Sequence, residues 1–153
     1  MSNRPSFLTM WANFQQVKTT VAGVGVIIGG RVGDNIKAGI FTNACAIRVS
    51  YALNHSGHPI VRGRWKTSSG ADGKWYVYRV SDLVDYLTSR FGPPDLKLNS
   101  PTTDALTNKR GILVFLTDQW ATASGHATLW NGTICADSCY FPESTEALLW
   151  YLE

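Results

Sequence analysis

Apolar positions along the chain recur in patterns that each predict an element. Phe7, Trp11 and Phe14, with Lys18 after them, follow steps of four, three and four, the spacing of one helix face. Pro5 and Ser6 precede them, and Ser6 is placed to cap the helix. Over 41–54 (FTNACAIRVSYALN), Ala44, Ile47 and Tyr51 form one stripe and Cys45, Val49 and Ala52 an adjoining one. Two stripes predict a largely buried helix beginning near Thr42 or Asn43, either of which can cap it. Asn54, Gly57 and Pro59 end it. Residues 74–80 (KWYVYRV) read as a strand, rich in β-branched and aromatic side chains. Ser81 then caps a helix with Asp82 and Asp85 in its first turn, stopping before Gly92-Pro93-Pro94. Residues 95–110 read as a polar loop and 111–116 (GILVFL) as a buried strand. The strongest local signal is 126–137 (HATLWNGTICAD), two short strands about Asn131-Gly132, the preferred pair of a two-residue hairpin turn.

The apolar, Gly-rich segment 21–30 (VAGVGVIIGG) invites comparison with nucleotide-binding loops, and fails it. A dinucleotide fingerprint from Gly23 needs glycine at Ile28, and a phosphate loop from Gly25 to Gly30 needs Lys and then Ser or Thr where Arg31 and Val32 stand. A tight turn with close backbone approach is the expectation there.

Composition narrows the class. A chain of 153 residues predicts one domain spanning 1–153. At 44% hydrophobic and 16% charged residues it has ample material for a core and is not a disordered chain. A net charge of +3 is too small and too dispersed to argue for nucleic acid. No run approaches the roughly 18 apolar residues of a membrane span, so no insertion is expected. Residues 1–17 lack the continuous apolar stretch of a signal peptide, which predicts synthesis in the cytoplasm without a standard export tag.

The hairpin register carries the first chemical expectation. With Asn131 and Gly132 as the loop, Thr128 faces Cys135 and His126 faces Asp137 across the ribbon. A carboxylate there can accept a hydrogen bond from one imidazole nitrogen and leave the other free to handle a proton. Such a pair can also be merely structural, and a nucleophile decides between the readings. Cys45, in the first turn of the predicted helix behind a polar cap, is the candidate. Unpaired helix N–H groups and the dipole favour a thiolate at that place and could stabilise an oxyanion. The chain order Cys, His, acid also matches papain-like hydrolases.

The remaining cysteines, Cys135 and Cys139, flank Asp137. They either form a bridge that holds the Asp137 loop and leaves Cys45 as the free thiol, or stay reduced, as in a cytosolic protein. A zinc site of Cys45, His126, Cys135 and Cys139 lacks a C-x-x-C pair, so no metal and no cofactor are expected. His55 and His58 sit in a turn sequence (NHSGHP) and read as loop histidines. Arg64 and Trp65, within RGRWK, are candidates for gripping a carboxylate-bearing substrate.

Taken together, IGGRVGDNI, FTNACAIRVSYALNHSG, SGHATLWNG and C-A-D-S-C resemble the fourth family of type VI secretion amidase effectors. The resemblance covers most of the chain. It implies an α+β, papain-like (NlpC-type) cysteine amidase, with the nucleophile's helix packed on an antiparallel sheet. It further implies cleavage of the γ-D-glutamyl–meso-diaminopimelate bond of peptidoglycan stem peptides, with Cys45 as nucleophile, His126 as base and Asp137 as its orienter. A cognate periplasmic immunity protein and the type VI secretion apparatus are the implied partners. Direct injection would explain the missing signal peptide, and delivery into the oxidising periplasm of a rival cell would favour the Cys135–Cys139 bridge. Two alternatives share these residues: a transamidase or acyltransferase, and a non-catalytic module binding cell wall or protein.

Overall fold

The computed structural model describes residues 3–117 and 125–153; Met1, Ser2 and residues 118–124, among them Ser124 of the SGHATLWNG block, lie outside them. Four helices come first: α1 (Phe7–Gln16), α2 (Val21–Ile28), α3 (Gly30–Lys37) and α4 (Cys45–Asn54). A two-stranded ribbon, β1 (Thr67–Ser69) with β2 (Trp75–Val77), leads into α5 (Val80–Phe91). The strands β3 (Leu96–Asn99), β4 (Gly111–Leu116), β5 (Gly125–Trp130) and β6 (Glu146–Tyr151) form one antiparallel sheet in the order β3-β6-β4-β5. This is the expected α+β arrangement, with the Cys45 helix packed against β5.

Strand alternation divides the core in two. Ile112, Val114, Ala127, Leu129, Leu148 and Trp150 pack with α1, α4 and α5, while Leu113, Phe115, Trp130 and Leu149 pack with Leu106 and Phe141 on the other face. His126 and Thr128, alternating with Ala127 and Leu129 in the period of two, belong to that second face.

Helix α4 is fastened on several sides. Every residue of it except Arg48 is buried, as its double stripe predicts. The Ser50 hydroxyl donates to Ala46 O at 2.9 Å and accepts the Val77 N–H at 3.0 Å. Asn54 donates to Trp75 O at 2.8 Å and accepts the Ile60 N–H at 2.7 Å. Arg48 donates to the carbonyls of Val17 and Thr19 at 3.1 and 2.7 Å, tying the helix to the end of α1. These bonds satisfy polar groups that burial would otherwise penalise.

Several boundaries differ from the sequence expectation. Segment 21–30 is mostly helix; the turn is confined to Gly29 and Gly30, both at positive φ (65° and 59°). The close approach is real: a Cβ on Gly30 would lie 2.5 Å from the Gly70 carbonyl carbon, and one on Gly33 2.8 Å from Gly25 O. Helix α5 is capped at Arg79 rather than Ser81, and only Asp82 lies in its first turn. β2 is accordingly shorter than 74–80, because Val80 already opens the helix. The supposed loop 95–110 contains β3, whose half-buried Leu96 and Leu98 pack beside the second core.

The largest correction concerns the hairpin. The two-residue turn does not form. Asn131 N–H donates to Ile134 O at 3.1 Å, Ala136 N–H to Leu129 O at 2.8 Å, and Trp130 bridges Cys135, so the loop spans 131–134. Asn131 Oδ1 explains the longer loop, since it accepts the Thr133 N–H, the Thr133 hydroxyl and the Ile134 N–H at 2.8–3.0 Å. This is an Asx-type turn in place of the expected type I′. The second strand reduces to the bridge at Cys135. The register slips by two, which keeps every side chain on its predicted face but sets Thr128, not His126, opposite Asp137.

Replacing Ser50 by Ala removes a buried hydroxyl that serves both Ala46 and Val77. We expect it to lower unfolding stability by about 1–3 kcal/mol in urea titration, without changing the secondary-structure spectrum.

Candidate active site

Three elements meet at one end of β5. Helix α4 begins with Cys45, the free cysteine among the described residues, 1% exposed. Its first intrahelical bond runs from Arg48 N–H to Ala44 O, so the Cys45, Ala46 and Ile47 amides precede the ladder. The expected cap is modified: Ala44 occupies the N-cap position, and Asn43 Oδ1 reaches forward to accept the Cys45 N–H at 3.0 Å. One of the amides expected to await an oxyanion is thus engaged by a carboxamide.

His126 stands at the second position of β5, opposite Phe115. Its Nε2 lies 3.1 Å from Asp137 Oδ1, and the Cys45 thiol is close enough to help raise the pKa of the ring. The Tyr140 ring meets the imidazole edge-on at 4.7 Å between centroids. Asp137 reaches His126 diagonally across the two-residue slip, and its Oδ1 also accepts the Thr128 hydroxyl at 2.6 Å. Thr128 thereby fixes the carboxylate that fixes the ring. Its role is invisible in the type I′ register, which places Cys135 in front of it.

Electrostatics follow from this packing. Burial, the largest single influence on His126, pushes its pKa down, but the hydrogen bonds and charges of Asp137 and Cys45 outweigh it and raise the value to about 9. Burial likewise pushes the Asp137 carboxyl up, and the His126, Thr128 and Ser138 contacts more than reverse this, leaving it below its ordinary value. An imidazolium held between a carboxylate and a thiol can stabilise a thiolate and return a proton to a leaving group.

Cys135 and Cys139 are joined in a disulfide, closing a short loop across Asp137. The bridge removes both from any ligand set, and the described residues hold no cluster of three or more His, Cys, Asp or Glu that could bind a metal.

The cleft beside this group has a volume of about 550 Å³ and is lined by Thr42, Asn43, His126, Asp137, Ser138 and Tyr140, among others. Lys18 and Arg48 also line it. Neither was expected from the pattern, since Lys18 reads as the last step of an apolar helix face. Arg64 and Trp65 do not reach the cleft. Both donate to Asp85 Oδ2, at 2.8 and 2.9 Å, so the carboxylate they grip is one of the chain's own. His55 and His58 are structural: His55 bonds Tyr51 O at 2.8 Å and His58 bonds Asn3 O at 3.0 Å.

The family described as type VI secretion system, amidase effector protein 4 (Tae4) matches residues 41–150. No curated protein matches the chain. Solved structures agree with its fold closely. The effector Tae4 from Salmonella typhimurium, in complex with the immunity protein Tai4 from Enterobacter cloacae, is 47% identical at a TM-score of 0.94, covering 98% of this chain and 100% of that one. The Salmonella Typhimurium Tae4–Tai4 complex gives 48% identity and a TM-score of 0.94, covering 98% and 99%. Tae4 from Enterobacter cloacae gives 42% and 0.93, covering 98% of each chain. Sequence, fold and the sulfur–imidazole–carboxylate geometry converge: the chain belongs to the Tae4 family of type VI secretion amidase effectors.

Proposed function

We propose that this chain is an antibacterial cysteine amidase that hydrolyses the γ-D-glutamyl–meso-diaminopimelate bond of peptidoglycan stem peptides. The observation that carries the reading is a buried free cysteine at the start of α4, close enough to His126 to act on its pKa, with His126 Nε2 3.1 Å from Asp137 Oδ1. The cations Lys18 and Arg48 in the cleft suit a substrate whose stem bears carboxylates. Lys18 has no ion-pair partner among the described residues.

In this mechanism His126 holds the proton of Cys45, and the thiolate attacks the amide carbonyl carbon. Amides of the first turn of α4 face the developing oxyanion. For the Cys45 N–H to join them, the Asn43 carboxamide must turn aside from it. The tetrahedral intermediate collapses as His126 gives its proton to the leaving amine. Water, deprotonated by the same imidazole, then hydrolyses the thioester. Asp137 keeps Nε2 engaged, so the proton is exchanged only at the nitrogen facing sulfur.

The known complexes of related effectors with Tai4 support a cognate immunity protein as the partner of this chain. Membership of the secreted family supports delivery by the type VI apparatus into the periplasm of a target cell. There the Cys135–Cys139 bridge is in keeping with an oxidising compartment.

Cys45→Ala is expected to abolish release of cleaved muropeptides from purified peptidoglycan, measured by mass spectrometry, while the protein stays folded. The product should carry a free carboxylate; a new amide in its place would identify a transferase. Asp137→Asn should slow turnover at least about a hundredfold by misorienting the imidazole.

His126 also sets a pH dependence. Its folded pKa, about 9, exceeds the ordinary value of 6.5, so the folded state binds this proton more tightly. The resulting stabilisation is full below about 6.5 and is lost as pH rises through about 9. Activity should fall over the same alkaline limb, and Asp137→Asn should move that limb to lower pH, followed by NMR titration of the His126 ring. Reduction of the disulfide should loosen the Asp137 loop and lower the rate, and reoxidation should restore it.

A further inference from the structure

A second groove, also of about 550 Å³, lies between α3 and the β1–β2 ribbon. Its aromatic walls are Trp75, Tyr78 and Phe41, with the Phe41 ring stacked on Tyr78 at 4.4 Å. Its cations are Arg31 and Arg62, both exposed. The Arg62 guanidinium carbon sits 4.1 Å from the centroid of the Trp75 ring. Neither arginine forms an ion pair among the described residues. A guanidinium resting over a ring keeps N–H donors that can take a carboxylate in bidentate fashion. Hydroxyls of β1 line the same groove, Ser68 among them.

The position of the groove matters as much as its chemistry. Phe41 forms part of its wall, while Thr42, Asn43 and Ala44 line the cleft that holds His126. Three residue steps span at most about 11 Å, so the linings of the two grooves adjoin along the chain. Aromatic walls, hydroxyls and two guanidinium groups match a glycan whose sugars carry carboxylate-bearing peptides.

We propose that this groove is a second wall-binding subsite, holding a carboxylate-bearing sugar–peptide unit of peptidoglycan beside the stem that is cut. The assignment rests on the reading of the chain as a peptidoglycan amidase, and deepens it. The subsite would contribute affinity for the polymer independently of the chemical step.

The test uses the full chain carrying Cys45→Ala, so that binding is read without turnover. This protein should co-sediment with purified sacculi, and adding Arg31→Gln and Arg62→Gln should weaken that binding roughly tenfold, the loss expected for charge-assisted hydrogen bonds. Arg62→Lys, which keeps the charge but not the planar fork, should weaken it measurably in a background with Arg31 intact. Undiminished sedimentation of the Arg31→Gln/Arg62→Gln protein, with its thermal melting unchanged, overturns the proposal. So does unchanged sacculus binding combined with weakened binding of the immunity protein, which would give the groove to a protein partner. Two soluble probes separate the sources of the ligand: a peptide-free N-acetylglucosamine–N-acetylmuramic acid disaccharide, and a sugar-free stem peptide. Amide shifts at residues 67–69 with the first place sugar in the groove, and with the second place the stem carboxylates there. Shifts with neither at millimolar concentration overturn it. Failure of the unmutated chain to cut sacculi, with arginine-dependent binding retained, would remove the amidase mechanism and leave the subsite.

Discussion

A charged imidazole in a nearly dry place is the constraint around which this molecule is arranged. The side chain of His126 is 12% exposed and that of Asp137 16%. Burial alone would strip the proton from the first and add one to the second. Each is held in its charged form by the other, with Thr128 and the Ser138 backbone steadying the carboxylate and Cys45 completing the ring's contacts. Such a pair is stable only while its geometry holds, because separating the partners leaves an uncompensated buried charge. The surrounding structure can be understood as what keeps these atoms in place.

That support comes from opposite sides. Ser50, Asn54 and Arg48 lock α4 to β2, to Ile60 and to the end of α1, which fixes where its first residue lies. β5 hangs on β4 along its full length, so His126 is placed by sheet pairing rather than by a loop. Asp137 alone sits on irregular backbone, and that stretch carries the disulfide. Rigid elements thus carry the sulfur and the ring, and a covalent clamp serves where regular hydrogen bonding stops.

The chemistry of the site was more legible in the sequence than its geometry. Face and period survive small errors: Cys45 at a helix start and His126 on the same face as Asp137 follow from patterns that a two-residue slip does not disturb. The turn itself was misjudged because Asn131 can serve two designs. In a type I′ turn its backbone does the work; here its side chain organises a longer loop by accepting three donors. β6 was not legible, since EALLWY is an apolar run with no period to separate strand from helix. Lys18 and Arg48 escaped notice for a different reason: a cleft that joins the end of α1, the start of α4 and the 137–140 segment exists only in three dimensions. Arg64 and Trp65 show the converse, a binding pattern consumed internally by Asp85.

The spacing of the cysteines also bears on how the chain matures. Three thiols allow three pairings, and two of them would consume the sulfur at the head of α4. Ends only four residues apart find each other far more readily than either finds a distant partner, because loop closure costs least over short separations. Once α4 has folded, its cysteine lies buried at the head of the helix, where a bulky disulfide partner reaches it less readily than it would an exposed thiol. The four-residue spacing therefore favours the one pairing that leaves Cys45 unbridged.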